Sequence, residues 1–131
     1  MAYMKAQSSI EFVIIIGVLL FFFSSFTIFI NQSLADKARE QRTNTLNELA
    51  LNVQEEIALA REASDGYYRV FVLPDNVVNV PYNVTLGDSY VYFYTLDFDL
   101  TISIPVSNVT GYLKIGSNTL EKIDGLVYLN R

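Results

Sequence analysis

The sequence predicts an α+β protein: one long N-terminal helix whose C-terminal half packs against a small antiparallel all-β head. Three observations predict it. An uncharged apolar run covers residues 12–30, helical periodicity continues to residue 63, and from residue 67 onward β-branched and aromatic segments alternate with turn residues. At 131 residues and about half apolar, the chain has room for one small domain plus an anchor.

The helix opens on a short polar leader, Lys5-Ala6-Gln7-Ser8-Ser9-Ile10-Glu11, followed by FVIIIGVLLFFFSSFTIFI. About 19 helical residues at ~1.5 Å each span roughly 28 Å, close to the ~30 Å hydrocarbon core of a bilayer. The run is too long for the apolar region of a secretory signal peptide, and Phe29-Ile30-Asn31-Gln32-Ser33 does not read as its cleavage site. A cut before the run, after Ala6, would leave the anchor in the mature chain. Glu11 borders hydrocarbon, where a carboxylate is costly without a cationic or hydrogen-bonding partner.

The string QSSIEFVII resembles the class III leader of archaeal type IV pilin-like proteins, Q-x-S-x-E-x-x-x-L. Gln7, Ser9 and Glu11 match, Ile15 replaces the usual Leu, and Lys5 and Ala6 precede the cut. The resemblance implies that a prepilin peptidase removes residues 1–6 between Ala6 and Gln7, making Glu11 the fifth residue of the mature chain. It further implies a structural subunit of an archaeal type IV-like pilus or adhesion filament. Its partners would be other pilin subunits, an assembly ATPase and a membrane platform protein. The precursor would be a single-pass membrane protein with its head outside, and the assembled form an extracellular filament. Two other roles fit the same residues: a monomeric membrane-anchored surface or binding protein, and a minor pilin that primes a filament.

Physical chemistry supplies a role for Glu11 independently. Residues 7 and 11 share a helix face one turn apart, so the carboxylate is placed to pair with a new amine at Gln7, or with that of a neighbouring copy. An acid there also complements the helix macrodipole, by ~0.3–1 kcal/mol. Cyclisation of an N-terminal Gln would leave Glu11 only hydrogen bonding. The charge bias, with Lys5 before the run and Lys37, Arg39 and Arg42 after it, favours the reverse orientation taken alone. Asp36 and Glu40 offset those later charges, and the leader outweighs the bias.

Past residue 30 neither Gly nor Pro stops the helix. Leu46, Leu49, Ala50, Val53, Ile57 and Ala60 recur at three- and four-residue steps, an amphipathic stripe suited to cover a sheet. One helix over residues 7–63, ~85 Å long, is expected. Its membrane or filament-core half is 7–30 and its amphipathic half 31–63, with a polar bridge over 31–44. Ser64-Asp65-Gly66 supplies the stop.

In the head, 64–131, strands are expected over 67–73, 89–96, 97–104, 111–115 and 126–129, with YNVTL as a further strand. Phe98, Leu100, Ile102 and Ile104 alternate with Asp97, Asp99, Thr101 and Ser103, the period of a half-buried strand. Pro74-Asp75-Asn76, Leu86-Gly87-Asp88-Ser89, Gly116-Ser117-Asn118 and Asp124-Gly125 read as turns. The run VFVLP, the YNVTL strand, NVTGYLKIGSNTL and DGLVYLN also resemble the heads of the same pilin-like proteins.

Composition argues against catalysis. The chain has no His, Cys or Trp, which removes the commonest general base, the best nucleophile and thiolate metal sites. No enzymatic activity, cofactor or metal is expected. A net charge of −5 is opposite to the footprint of nucleic-acid binding. Asp97 and Asp99, on one side of a strand, read as a solvated polar face rather than a Ca²⁺ site. Asn-x-Ser/Thr acceptors occur at Asn31, Asn83 and Asn108. Asn31 would be shielded in an assembly, whereas Asn83 and Asn108 are expected near turns and are the candidate N-glycan sites. Tyr67, Tyr68, Tyr90, Tyr92 and Tyr94 are divided between sheet packing and outward contact.

Overall fold

The computed structural model describes residues 2–131, with side chains from Tyr3 onward. Helix α1 runs Ala2–Glu62 and eight strands follow. The helix starts earlier than residue 7 because Ala2 to Ala6 contain no breaker and are mostly good helix formers. It ends before Ser64-Asp65-Gly66, where Gly66 takes φ +92°, a conformation that carries no side-chain penalty in glycine. The chain forms two compact units, the first reaching Arg39 and the second Glu40–Arg131.

In the second unit the strands are β1 (Tyr68–Leu73), β2 (Asn76–Val77), β3 (Val80–Leu86), β4 (Tyr90–Thr95), β5 (Thr101–Pro105), β6 (Thr110–Gly111), β7 (Gly116–Ile123) and β8 (Leu126–Leu129). They form two four-stranded sheets, ordered β1-β7-β8-β6 and β2-β3-β4-β5. The expected stripe is the cover: Leu46, Ala50, Val53, Ile57 and Ala60 are all buried, with Leu49 packed beside them. They meet Phe93, Val91, Val77, Leu120, Val127 and Leu129 in one core. Burying such side chains is worth ~1.5–3 kcal/mol each, and this, more than intrinsic propensity, holds the helix on the sheets.

The helix end is tied down by polar contacts as well. Lys122 Nζ on β7 donates to the carbonyls of Arg61 and Ala63, the latter at 2.7 Å, satisfying oxygens that a helix terminus leaves without partners. Gly125 N–H donates to Asp65 Oδ1 at 2.9 Å. Arg69 Nε on β1 lies 2.9 Å from Glu56 Oε2 on α1.

Several strand expectations are corrected. Residues 97–100 are a turn, not the start of a strand: Phe98 has φ +57° and is 74% exposed. Only Thr101–Pro105 continues as β5. The period-two pattern holds from Leu100 onward, but a buried Thr95 captures the preceding residues into a loop by hydrogen bonds. Of the expected strand over 111–115 only Gly111 is in a strand, as the end of β6, which pairs with β8 in parallel, so the head is antiparallel-rich but not wholly antiparallel. A Cβ on Gly111 would lie 1.9 Å from the Leu129 carbonyl oxygen, so this approach requires glycine. Gly116-Ser117-Asn118 is not a turn but the first part of β7, an inner strand of its sheet. The Asp124-Gly125 turn is as expected, with both residues at positive φ, the two-residue turn that suits the strand twist of the β7–β8 hairpin. A second two-residue hairpin at Val78-Asn79, φ +49° and +60°, carries no glycine to announce it.

Candidate functional site

The outstanding surface of the first unit is α1 between Ile10 and Ile30. Every large apolar side chain there is exposed, from 40% at Ile16 and Ile30 to 71% at Phe23. The best 18-residue window has a mean hydropathy of 2.8 and none of it is buried. Apolar residues lie on all sides of the helix rather than in one stripe, the pattern of a segment surrounded by an apolar medium. The helix is long and apolar enough to cross a membrane.

The backbone and hydroxyls of this segment are internally satisfied. Ser24 Oγ donates to the Leu20 carbonyl at 2.8 Å, Ser25 Oγ to Phe21 at 2.9 Å and Thr27 Oγ1 to Phe23 at 2.9 Å. Back-bonding of this kind hides the polar groups from hydrocarbon. A Cβ added at Gly17 would meet nothing within 4 Å, so this glycine leaves a notch on the helix surface.

Lys5, Ala6, Gln7, Ser9, Glu11 and Ile15 all lie on α1 and are exposed. Helix geometry brings Gln7 and Glu11 onto one face, one turn apart. Between Lys5 and Asp36, Glu11 is the single charged residue. The Ala6–Gln7 bond lies inside the helix rather than at its start, so a peptidase acting there would have to unwind about one turn.

In the head, Asp97 and Asp99 do not share a strand face. Asp97 Oδ1 accepts from the Thr95 hydroxyl at 2.5 Å and from the Asp99 amide at 3.1 Å. The Thr95 hydrogen bond, then the Asp99 amide, with a smaller contribution from the Arg42 charge, holds the Asp97 carboxyl below its ordinary range. Its job in this geometry is to organise the β4–β5 loop. Asn83 sits within β3 rather than near a turn, Asn108 lies in the irregular segment before β6, and Asn31 is exposed on α1.

Tyr90 and Tyr92 face outward on β4, whereas Tyr82 is buried in the core and Tyr94 is half-buried beneath Phe98. Phe98, expected in the core, stacks on Tyr94 with centroids 5.5 Å apart. An open groove of about 460 Å³ lies where Gln54 and Ala58 of α1 face Pro105 and Ser107. Gln54 Nε2 donates across it to the Pro105 carbonyl at 2.7 Å, a structural tie. Sequence reasoning missed the Lys122 tie, since nothing marks a strand lysine as a helix cap until the strand is placed at the helix end.

Comparison with family models, curated proteins and solved structures found no match to this chain.

Proposed function

We propose that the chain is a pilin, a structural subunit of an archaeal type IV-like pilus or adhesion filament that polymerises through α1 after leader cleavage. The observation that carries this reading is the uniformly exposed apolar segment of α1, preceded by the leader residues Gln7, Ser9 and Glu11. In the precursor, lipid covers that surface. A peptidase then cuts between Ala6 and Gln7, and the apolar helices pass from the membrane into a filament core, where copies pack on one another. Lipid already shields these side chains, so assembly gains little hydrophobic transfer energy; close helix packing and exclusion from water after extraction hold the polymer. Glu11 pairs with the Gln7 amine, its own or a neighbour's, which removes a bare carboxylate from the core. The folded head coats the outside. Extraction from the membrane is driven by an assembly ATPase working through a platform protein.

N-terminal mass spectrometry together with electron microscopy tests the reading. The expected result is a mature chain beginning at Gln7 and filaments that contain it. Glu11→Ala should reduce filament yield while leaving the head folded. A chain that keeps residues 1–6 and forms no filament would instead be a monomeric membrane-anchored surface protein.

A further inference from the structure

The sheet β2-β3-β4-β5 is unusual in its charge. None of its four strands contains an Asp, Glu, Lys or Arg, although the other sheet carries Arg69, Glu121 and Lys122. Its outward positions form a column of Tyr90, Tyr92 and Tyr94 on β4, extended by Phe98 stacked on Tyr94. Neutral residues flank the column: Tyr92 lies opposite Thr85 and Ser103, and Tyr94 opposite Asn83 and Thr101. Beyond Pro81, β3 is paired on one side only. Exposed edges and faces of sheets are ordinarily protected from unwanted pairing by charge, and this one is not.

The same face carries its own candidate cover. Asn83-Val84-Thr85 is an N-glycan acceptor sequence, and within β3 the strand period turns Asn83 and Thr85 outward while Val84 is buried. Directly opposite residues of an antiparallel pair have Cβ atoms ~4.5–5.5 Å apart, so a sugar on Asn83 begins beside the Tyr94 ring. The faces of pyranose rings are rich in C–H groups and match uncharged aromatic surfaces, and the Thr and Ser hydroxyls supply hydrogen bonds at the margin. Asn31 on α1 and Asn108 before β6 are not placed opposite any such column.

We propose that Asn83 carries an N-linked glycan whose first sugars lie across Tyr92 and Tyr94, covering the uncharged face and open edge of this sheet. In the transfer, Asn83 Nδ2 forms a bond to the anomeric carbon of a polyprenyl-phosphate-linked oligosaccharide. The anomeric C–O bond breaks, the lipid phosphate leaves with its electron pair, and the amide gives up one proton to a base of the separate transferase. The proposal rests on the reading that the head is exported.

Glycopeptide mass spectrometry of the protein from its native membranes, with protease shaving of intact cells, tests the site. A sugar mass on the Asn83 peptide, absent in Asn83→Gln, is the expected result. A head cleaved by external protease but bare at Asn83 overturns the glycan while leaving export standing; a head protected from protease overturns both. The stacking is tested by thermal unfolding of Tyr92→Ala in the glycosylated chain and in Asn83→Gln. The loss in Tm should be at least twice as large with the glycan present, and equal losses overturn the platform. Tyr92→Thr gives the same comparison should the alanine variant fail to fold.

Discussion

Asn130 Nδ2 donates to Asn118 Oδ1 at 2.8 Å, joining the C-terminal end of the chain to a fully buried amide on β7. Asn118 also accepts from the Lys114 N–H at 3.0 Å and donates to the carbonyls of Lys114 and Gly116 at 2.8 and 3.1 Å. Asn130 donates to the Tyr112 carbonyl and accepts from the Thr119 amide. The two side chains therefore give partners to the Tyr112 carbonyl and to both backbone groups of Lys114, where strand pairing has stopped.

Asn118→Ala should be among the most damaging substitutions in the head. It leaves several part-buried polar groups without their partner, at up to ~1–3 kcal/mol for such a group. A loss of about 3 kcal/mol is expected, read by denaturant unfolding of the full chain in detergent. Asn130→Ala, at a more accessible position, should cost less.

Lys122→Met keeps the aliphatic stem but removes both donors to the end of α1. A loss of ~1–2 kcal/mol is expected, from two charge-assisted hydrogen bonds and the helix-end charge. Amide exchange should quicken first in the last turn of α1, and uniform quickening across the head would argue against a capping role.

The helix stripe should be sharply one-sided. Ile57→Ala, at 1% exposure, should cost ~2–5 kcal/mol through lost burial and the cavity left behind. Leu59→Ala, two residues away and 50% exposed, should change stability by about 0.5 kcal/mol or less. Similar losses at both positions, measured by thermal unfolding, would contradict the packing of α1 on the sheets.

Tyr82 predicts an alkaline limit to stability. Burial, with a smaller contribution from the Asp75 charge, pushes its hydroxyl from 10.0 up to about 12, and the hydroxyl donates to the Pro74 carbonyl at 2.6 Å. The native state therefore holds this proton more tightly than the unfolded chain. The contribution is complete below about pH 10 and falls as pH rises toward about 12. Unfolding across that window should show the loss in the native chain and a flatter profile in Tyr82→Phe.

Asp97 predicts the opposite limit. Its carboxyl sits below the ordinary range, so its contribution is present above the unfolded-state value and is lost as pH falls through the folded one. An NMR titration should show the Asp99 amide signal moving with the Asp97 carboxyl in acid, and Asp97→Asn should abolish that step.

The apolar run, the periodic stripe from Leu46 to Ala60 and the Asp124-Gly125 turn were all legible in the sequence. Each is written in residues close together along the chain, where helical period or turn chemistry acts locally. The same local signals misplaced 97–100, 111–115 and 116–118. Whether Asp97 and Phe98 extend a strand depends on Thr95, which binds the loop only once it is buried against the core. Whether Gly116 and Asn118 turn or pair depends on β1, which is distant in sequence and sets Leu73 opposite Gly116 and Phe71 opposite Asn118. Residue order alone therefore established that a long apolar helix precedes a β head, and which helix face covers that head. Folding in three dimensions settled which strand lies inside the sheet, which polar groups are buried, and that Asn83 faces a column of tyrosines. Those outcomes rest on pairing between residues far apart in the chain, which no local pattern encodes.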